Sequence, residues 1–229
     1  RTMLEGSKKI DLSEDITGAP LKKDYDTGFS YADCRTDDAR LVISCAMDAR
    51  DRGADIRPRT ECTSLLVKAD DFLWEVEAED QITGKTETLF SKAVVNAAGP
   101  WVRQFLDYNE LATSQTYQTR FSKGSHIVLH KLYDGEHAYI LQQPDGRIIF
   151  AIPFEREFTL IGTTDALYDD DPAEASISKE EIAYLCDAIN RSFEKPISPK
   201  DVIWAYSGVR PLLDNGDENL SKVTRDYKL

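Results

Sequence analysis

The stretch Lys123-Gly124-Ser125-His126 has the clearest chemical potential in this chain of 229 residues. A histidine titrates near neutral pH and is the usual acceptor of a proton from an alcohol. His126 is one of only three histidines, and it stands in a segment patterned as a strand. A surface or hydrogen-bonded structural histidine satisfies the same pattern. His126 and His130 are four apart, which on a strand puts them on one face but roughly 13 Å apart, too far to share a metal ion. No Glu follows His126, as a zinc-binding His-Glu-x-x-His helix needs. Arg210 stands between Gly208 and Pro211 after an apolar strand, and a guanidinium fixed in such a turn suits a bidentate contact to phosphate or carboxylate. Arg225 is a second cation of this kind. Each also suits a surface salt bridge, and their separation in sequence says nothing of their separation in space.

Two more stretches could line a site. Ala97-Ala98-Gly99-Pro100 places small side chains where a strand passes into a helix, so the backbone can approach a planar or phosphorylated ligand and offer free N–H groups. It also reads as a plain tight connection with Pro in the first turn of the helix. Ile161-Gly162-Thr163-Thr164-Asp165 ends a strand in hydroxyls and a carboxylate, fit either for a polar pocket or for an Asx or Ser/Thr turn.

The elements that must position these residues follow from periodicity and punctuation. Residues 1–33 read as an irregular lead-in with a short strand near Phe29 to Tyr31. A helix is expected over about 37–52, capped by Thr36 or Asp37, with Val42, Cys45, Ala46 and Ala49 on one stripe and Gly53 at its stop. Ala54 to Arg57 is a short strand candidate. Cys62 to Lys68, Phe72 to Glu79 and Thr86 to Lys92 read as an antiparallel meander, followed by a buried strand from Ala93 into a helix after Pro100.

Beyond about 117 the chain reads as mainly antiparallel, with strands near 119–130, 137–143, 147–152 and 157–163 and a hairpin turn at Asp145-Gly146. One long helix interrupts them, announced by the capping box Ser178/Glu181 and the apolar repeat Ile182, Leu185, Cys186, Ile189 and Phe193. Val202 to Tyr206 returns to strand, and Ser207 to Pro211 is expected to turn sharply out of it. The fold class implied is α/β in the broad sense, α+β in detail. A mixed unit occupies 1–112, and an antiparallel sheet flanked by a helix occupies 113–229.

Composition narrows the function classes. A hydrophobic share of 41% supports a sizeable core. A net charge of -13 makes non-specific attachment to nucleic acid or to an anionic membrane unfavourable, so nucleic acid is not an expected partner and any anionic ligand must be held by local cations. Four scattered cysteines give no disulfide framework and no zinc spacing, which points to reduced cytosol. No apolar run reaches the roughly 20 residues of a membrane span.

Taken in order, the stretches resemble the FAD-dependent glycerol-3-phosphate dehydrogenase family. The likeness runs through Tyr31-Ala32-Asp33-Cys34 with Asp37-Asp38-Ala39-Arg40-Leu41, Val95-Asn96-Ala97-Ala98-Gly99-Pro100-Trp101-Val102 and Lys123-Gly124-Ser125-His126. It continues through Ile161-Gly162-Thr163-Thr164-Asp165, Tyr206-Ser207-Gly208-Val209-Arg210-Pro211-Leu212 and Thr224-Arg225-Asp226-Tyr227. Ala98 stands where the family commonly has Thr, which removes a hydroxyl and keeps the backbone role.

The resemblance implies part of a glutathione-reductase-type FAD-binding domain over 1–112 and an antiparallel-sheet substrate domain over 113–229. It implies FAD as cofactor, sn-glycerol 3-phosphate as substrate and quinone as final acceptor, with oxygen as the alternative acceptor. By matching position Cys62 meets the adenine through its backbone, and Ala97, Ala98 and Gly99 lie near the adenosine and pyrophosphate. His126, Arg210 and Arg225 match positions around substrate and flavin ring, with His126 as general base. The family's Gly-rich fingerprint and C-terminal helical domain are not in this sequence, so the resemblance implies an internal portion holding an incomplete pocket. It is compatible with a homodimer and with peripheral contact at the cytoplasmic side of the inner membrane.

Overall fold

The computed structural model describes residues 4–68, 73–113, 116 and 118–213. In chain order its elements begin with β1 (Lys8–Asp11), β2 (Thr27–Ser30), α1 (Asp38–Asp51), β3 (Thr60–Lys68), β4 (Leu73–Asp80), β5 (Thr86–Ser91) and α2 (Val102–Tyr108). They continue with β6 (Thr119–His130), β7 (Tyr139–Gln142), β8 (Ile148–Phe154), β9 (Phe158–Gly162), β10 (Ala166–Tyr168), α3 (Lys179–Ser192) and β11 (Val202–Leu213). This is the α+β composition expected from the pattern. The chain divides into two compact units. One collects the described residues up to Tyr31, Gly99–Trp101 and those from Thr116 onward; the other comprises Ala32–Ala98 and the described part of Val102–Gln115.

The larger unit is built on β6. Its twelve residues pair antiparallel with β11 along one side and with β9 and β10 along the other, and β8 and β7 extend the sheet beyond β9. Alternation along β6 puts Ser125, Ile127 and Leu129 on the face that meets α3, and Gly124, His126 and Val128 on the other. Ile127, Leu129, Ile149, Ile161, Leu185 and Ile189 are buried in a single cluster, each removing apolar surface worth about 1.5–3 kcal/mol from water. The capping box read from Ser178 and Glu181 is present. Ser178 Oγ accepts from the Glu181 N–H at 3.1 Å, and Glu181 Oε2 accepts from the Ser178 N–H at 2.8 Å.

The lead-in is more ordered than its composition suggests. β1 and β2 form an antiparallel pair, and Leu21 is buried, bridging to Phe193 just past α3. Tyr139 ties it down further: its hydroxyl donates to the Thr17 carbonyl at 2.6 Å and lies 2.8 Å from His137 Nε2, which then acts as donor.

The smaller unit holds α1, α2 and the meander β3–β4–β5. Asp37 caps α1 by accepting the Arg40 N–H, and Gly53 takes φ +98 at its end, as the punctuation predicts. Every residue of α1, its apolar stripe included, is left unburied.

Three expectations are corrected. Ala54 to Arg57 forms no strand, and Arg57 instead makes ion pairs with Asp55 and Glu87. Ala93–Ala98 is not a buried strand: among the described residues no strand pairs with it, and Val95 is 85% exposed. A central strand needs neighbours to satisfy its backbone groups, so an apolar run without them stays irregular. Ser207 to Pro211 does not turn out of β11; the strand continues to Leu213↔Thr119. Gly208 lies opposite Gly124, and among the described residues no strand pairs with the far side of β11, an edge position of the kind where proline is tolerated in a sheet.

Candidate active site

Cross-strand register assembles the site on the face of the larger unit opposite α3. His126 is paired with Tyr206 on β11 and with Gly162 on β9, Gly124 with Gly208, and Ser122 with Arg210. Directly opposed residues share a face, so His126, Tyr206, Gly162, Gly124, Gly208 and Arg210 project to the same side. The imidazole of His126 stacks on Tyr206, with ring centroids 5.0 Å apart and planes 8° from parallel. On its other side it lies against Gly162: a Cβ there would overlap the imidazole and come within 2.7 Å of Cγ and Nε2. Gly162 is therefore required by the ring, not by any turn.

Gly124 does the same for Arg210. A Cβ on Gly124 would stand 3.0 Å from Arg210 Nη2 and 2.6 Å from Thr163 Oγ1. The half-buried guanidinium thus folds back over Gly124, two residues from His126, or roughly 7 Å along the strand. Among the described residues no ion pair or hydrogen bond engages it, whereas Arg52, Arg57, Arg103 and Arg147 all pair with carboxylates. A half-buried cation beside an imidazole on one face is an arrangement that can hold an anionic alcohol and take its proton.

Beneath this face runs a polar clasp. Glu181 Oε1 accepts from Ser125 Oγ at 2.9 Å and from Thr164 Oγ1 at 2.8 Å, while Oε2 accepts from the Ser178 N–H and from Lys123 Nζ, both at 2.8 Å. Thr164 Oγ1 in turn accepts the Ser125 N–H at 2.8 Å, and Ser207 Oγ lies 2.8 Å from Ser125 Oγ. Since Ser125 spends its proton on Glu181, Ser207 is the donor between the two hydroxyls. Burial alone would push the Glu181 carboxyl up, but its four donors outweigh burial and hold it below the usual glutamate range. Thr164 accordingly serves the interior. Asp165 accepts from Ser122 Oγ.

The remaining sequence candidates are distributed as follows. Cys62 is half-buried on β3 at a bulge against β4, its thiol donating to the Ser64 carbonyl at 3.6 Å and pushed up in pKa by burial. Ala97 and Ala98 are exposed, in a turn shaped by Asn96, whose side chain accepts the Ala98 N–H at 3.2 Å and donates to the Val102 carbonyl at 3.0 Å. Gly99 takes φ +55, and nothing lies within 4 Å of where its Cβ would be. Cys62, Ala97 and Ala98 belong to the smaller unit; Gly99, His126 and Arg210 belong to the larger one. Arg225 lies outside the described residues. Glu181 and Tyr206 were not singled out by sequence as pocket-lining, and Gly162 stood only within the Ile161–Asp165 stretch, which was read for its hydroxyls and carboxylate. The capping box pointed to Glu181 only as a helix start, and the other two depend on register.

The profile of the FAD dependent oxidoreductase family matches residues 4–226. A glycerol-3-phosphate dehydrogenase of Pseudomonas aeruginosa is 45% identical over 215 residues, covering 93% of this chain and 41% of that protein. The aerobic glycerol-3-phosphate dehydrogenase of Escherichia coli is 42% identical, covering 100% and 44%, and the D-erythritol 1-phosphate dehydrogenase of Brucella abortus is 41% identical, covering 99% and 45%. The chain thus spans less than half the length of these relatives. Among solved structures, the glycerol-3-phosphate dehydrogenase of Bacillus halodurans complexed with FAD superposes with a TM-score of 0.79 at 31% identity, over 91% of this chain and 42% of that one. The L-alpha-glycerophosphate oxidase of Mycoplasma pneumoniae shares the fold, with a TM-score of 0.70 at 16% identity over 94% and 55%. With its profile match running through both units, the chain belongs to the FAD dependent oxidoreductase family.

Proposed function

We propose that this chain carries the substrate-oxidising face of an FAD-dependent dehydrogenase acting on sn-glycerol 3-phosphate, giving dihydroxyacetone phosphate. The observation that carries the reading is the half-buried Arg210 guanidinium, unengaged among the described residues and folded over Gly124 beside His126. A phosphate on one carbon and a hydroxyl on the next match a cation and a base set side by side. Arg210 grips the phosphate through its planar fork, with Arg225 as a second cation. His126 accepts the proton of the C2 hydroxyl as that carbon loses hydride and becomes a carbonyl. The Tyr206 stack and the bare Gly162 fix the plane of the imidazole, so the accepting nitrogen is held rather than searched for.

The residues present fit FAD in two respects. Ala97 and Ala98 expose small side chains, and Gly99 offers open backbone at positive φ, so a dinucleotide can lie close to the peptide. Cys62 contributes a bulged backbone for the adenine end. When bound, FAD supplies the acceptor for the hydride leaving C2. In this reading residues 1–112 serve the FAD-binding part and 113–229 the substrate part.

Quinone is the proposed final acceptor, reached by peripheral contact at the cytoplasmic side of the membrane. Among the described residues no helix is long and apolar enough to cross a membrane. A second substrate reading rests on the relative named D-erythritol 1-phosphate dehydrogenase at 41% identity. It keeps the phosphate grip and the base and lengthens the polyol.

The test uses the complete gene product loaded with FAD. His126→Gln should slow flavin bleaching by sn-glycerol 3-phosphate about 100-fold or more, the scale of general-base catalysis. An unchanged rate constant removes His126 as the base. Comparing kcat/KM for sn-glycerol 3-phosphate and D-erythritol 1-phosphate decides the substrate, and stoichiometric peroxide in a quinone-free assay would replace quinone by oxygen.

A further inference from the structure

Glu181 does more than begin a helix. A capping box needs only one of its carboxylate oxygens, the one that accepts the Ser178 N–H. The other oxygen reaches across to the sheet and takes hydrogen bonds from Ser125 on β6 and Thr164 after β9, and through Ser125 it holds Ser207 on β11. These three residues neighbour the groups on the reacting face: Ser125 precedes His126, Ser207 follows Tyr206, and Thr164 stands two beyond Gly162. Pleating sends alternate side chains to opposite faces, so fixing Ser125 and Ser207 from below fixes the lie of their neighbours His126 and Tyr206 above, while Thr164, bonded to Ser125 through side chain and backbone, anchors the chain that leads out of Gly162. With side chains only 14% and 12% exposed, Glu181 and Lys123 form a shielded ion pair, which breaks less readily than a surface one.

We propose that Glu181 is a positioning residue for proton transfer, acting through Ser125, Ser207 and Thr164 to hold the His126 imidazole against Tyr206 and Gly162. The proposal rests on the functional reading above, in which His126 is the base. Its distinctive element is that a carboxylate on the far side of the sheet controls the rate of a step it never touches.

Glu181→Gln separates capping from positioning, because glutamine also completes a capping box. If its amide oxygen stays on Ser178, its NH2 is turned toward two donors, Ser125 and Thr164, which lose their acceptor. In the FAD-loaded complete gene product, the variant should retain the wild-type flavin spectrum and a KM for sn-glycerol 3-phosphate within about threefold of wild type. Its rate constant for flavin reduction at saturating substrate should fall about tenfold or more, in line with the cost of a misplaced reacting group. Ser178→Ala, which removes the cap and leaves Ser125 and Thr164 on the carboxylate, should lower the melting temperature while holding that rate constant within about twofold. Should Glu181→Gln fail to fold, Ser125→Ala deletes the side-chain bonds to Glu181 and Ser207, keeps the carboxylate anchored on Ser178, Thr164 and Lys123, and should show the same split in smaller measure.

Equal rate constants for wild type and Glu181→Gln, or a loss in Ser178→Ala matching that in Glu181→Gln, would overturn the proposal. A wild-type enzyme whose flavin is not bleached by sn-glycerol 3-phosphate or D-erythritol 1-phosphate overturns the functional reading instead. The two failures are therefore distinct.

Discussion

α1 and α3 are both fourteen residues long, both begin at a side-chain cap and both are readable from local signals, yet only one is part of a core. α3 buries Leu185, Cys186, Ala188, Ile189 and Ser192; α1 buries nothing, and Leu41, Val42, Ile43 and Met47 stand exposed. The same contrast divides their units. Among the described residues the smaller unit buries only Leu65 and Ala78 of its large and small apolar residues, while the rest of the buried core lies in the larger one. Caps and propensity specify where a helix starts and stops, and burial decides how much that helix contributes to stability. The catalytic candidates whose geometry is closed, His126 and Arg210, lie in the unit with the core.

The largest effect that could break this contrast is a cavity. Leu185→Ala should cost about 2–5 kcal/mol, since a fully buried leucine is removed from a cluster that cannot collapse around the gap. Val42→Ala in α1 should cost no more than about 0.5 kcal/mol. Urea unfolding of the two variants decides it; similar losses would mean that α1 is covered in solution.

Glycines sharpen the comparison next. Gly162→Ala must displace the imidazole, so it should cost about 1–3 kcal/mol by overpacking and depress flavin reduction as well. Gly84→Ala, at φ +68 in open space on the β4–β5 turn, should cost about 1 kcal/mol of backbone strain and leave the rate untouched. A rate loss in the second, or none in the first, would erase the distinction.

The smallest effect is in pH. All three histidines lie in the larger unit, and burial pushes His137 below its usual value, only partly opposed by Asp15. The folded state then binds fewer protons than the unfolded state between the lowered pKa and about 6.5, so stability rises with pH across that window. Its contribution is complete above about pH 6.5, declines as pH falls below it and levels off under the folded pKa. Melting temperatures from pH 7.5 to 5 should show this slope in wild type and a shallower one in His137→Gln. An unchanged slope would mean another group carries it.

Sequence legibility followed the range of the interactions. β6 and the start of α3 could be placed closely because a run of strand-forming residues and a capping box are local signals, and the Asp145-Gly146 turn formed for the same reason, with Gly146 at φ +84. Gly208 and Pro211 also gave a local signal, for a turn, and it was overruled by a ladder with β6 that no local window contains. The apolar run at Ala93–Val95 looked like a central strand because hydrophobicity reports a wish for burial, not the presence of a partner. At the site, residue types pointed to His126 and Arg210. The Tyr206 stack, the two glycine seats and the clasp on Glu181 come from register across strands distant in sequence.

β6 is also the strand that waits longest for its partner. On a ribosome it is made well before β11, with β7 to β10 and α3 emerging between them. Until the last of β11 is released, one edge of β6 offers unpaired N–H and C=O groups to any passing strand. The order of synthesis therefore leaves the candidate face for the end: its imidazole is made early, but the aromatic ring and the guanidinium beside it arrive only with the strand that closes the sheet.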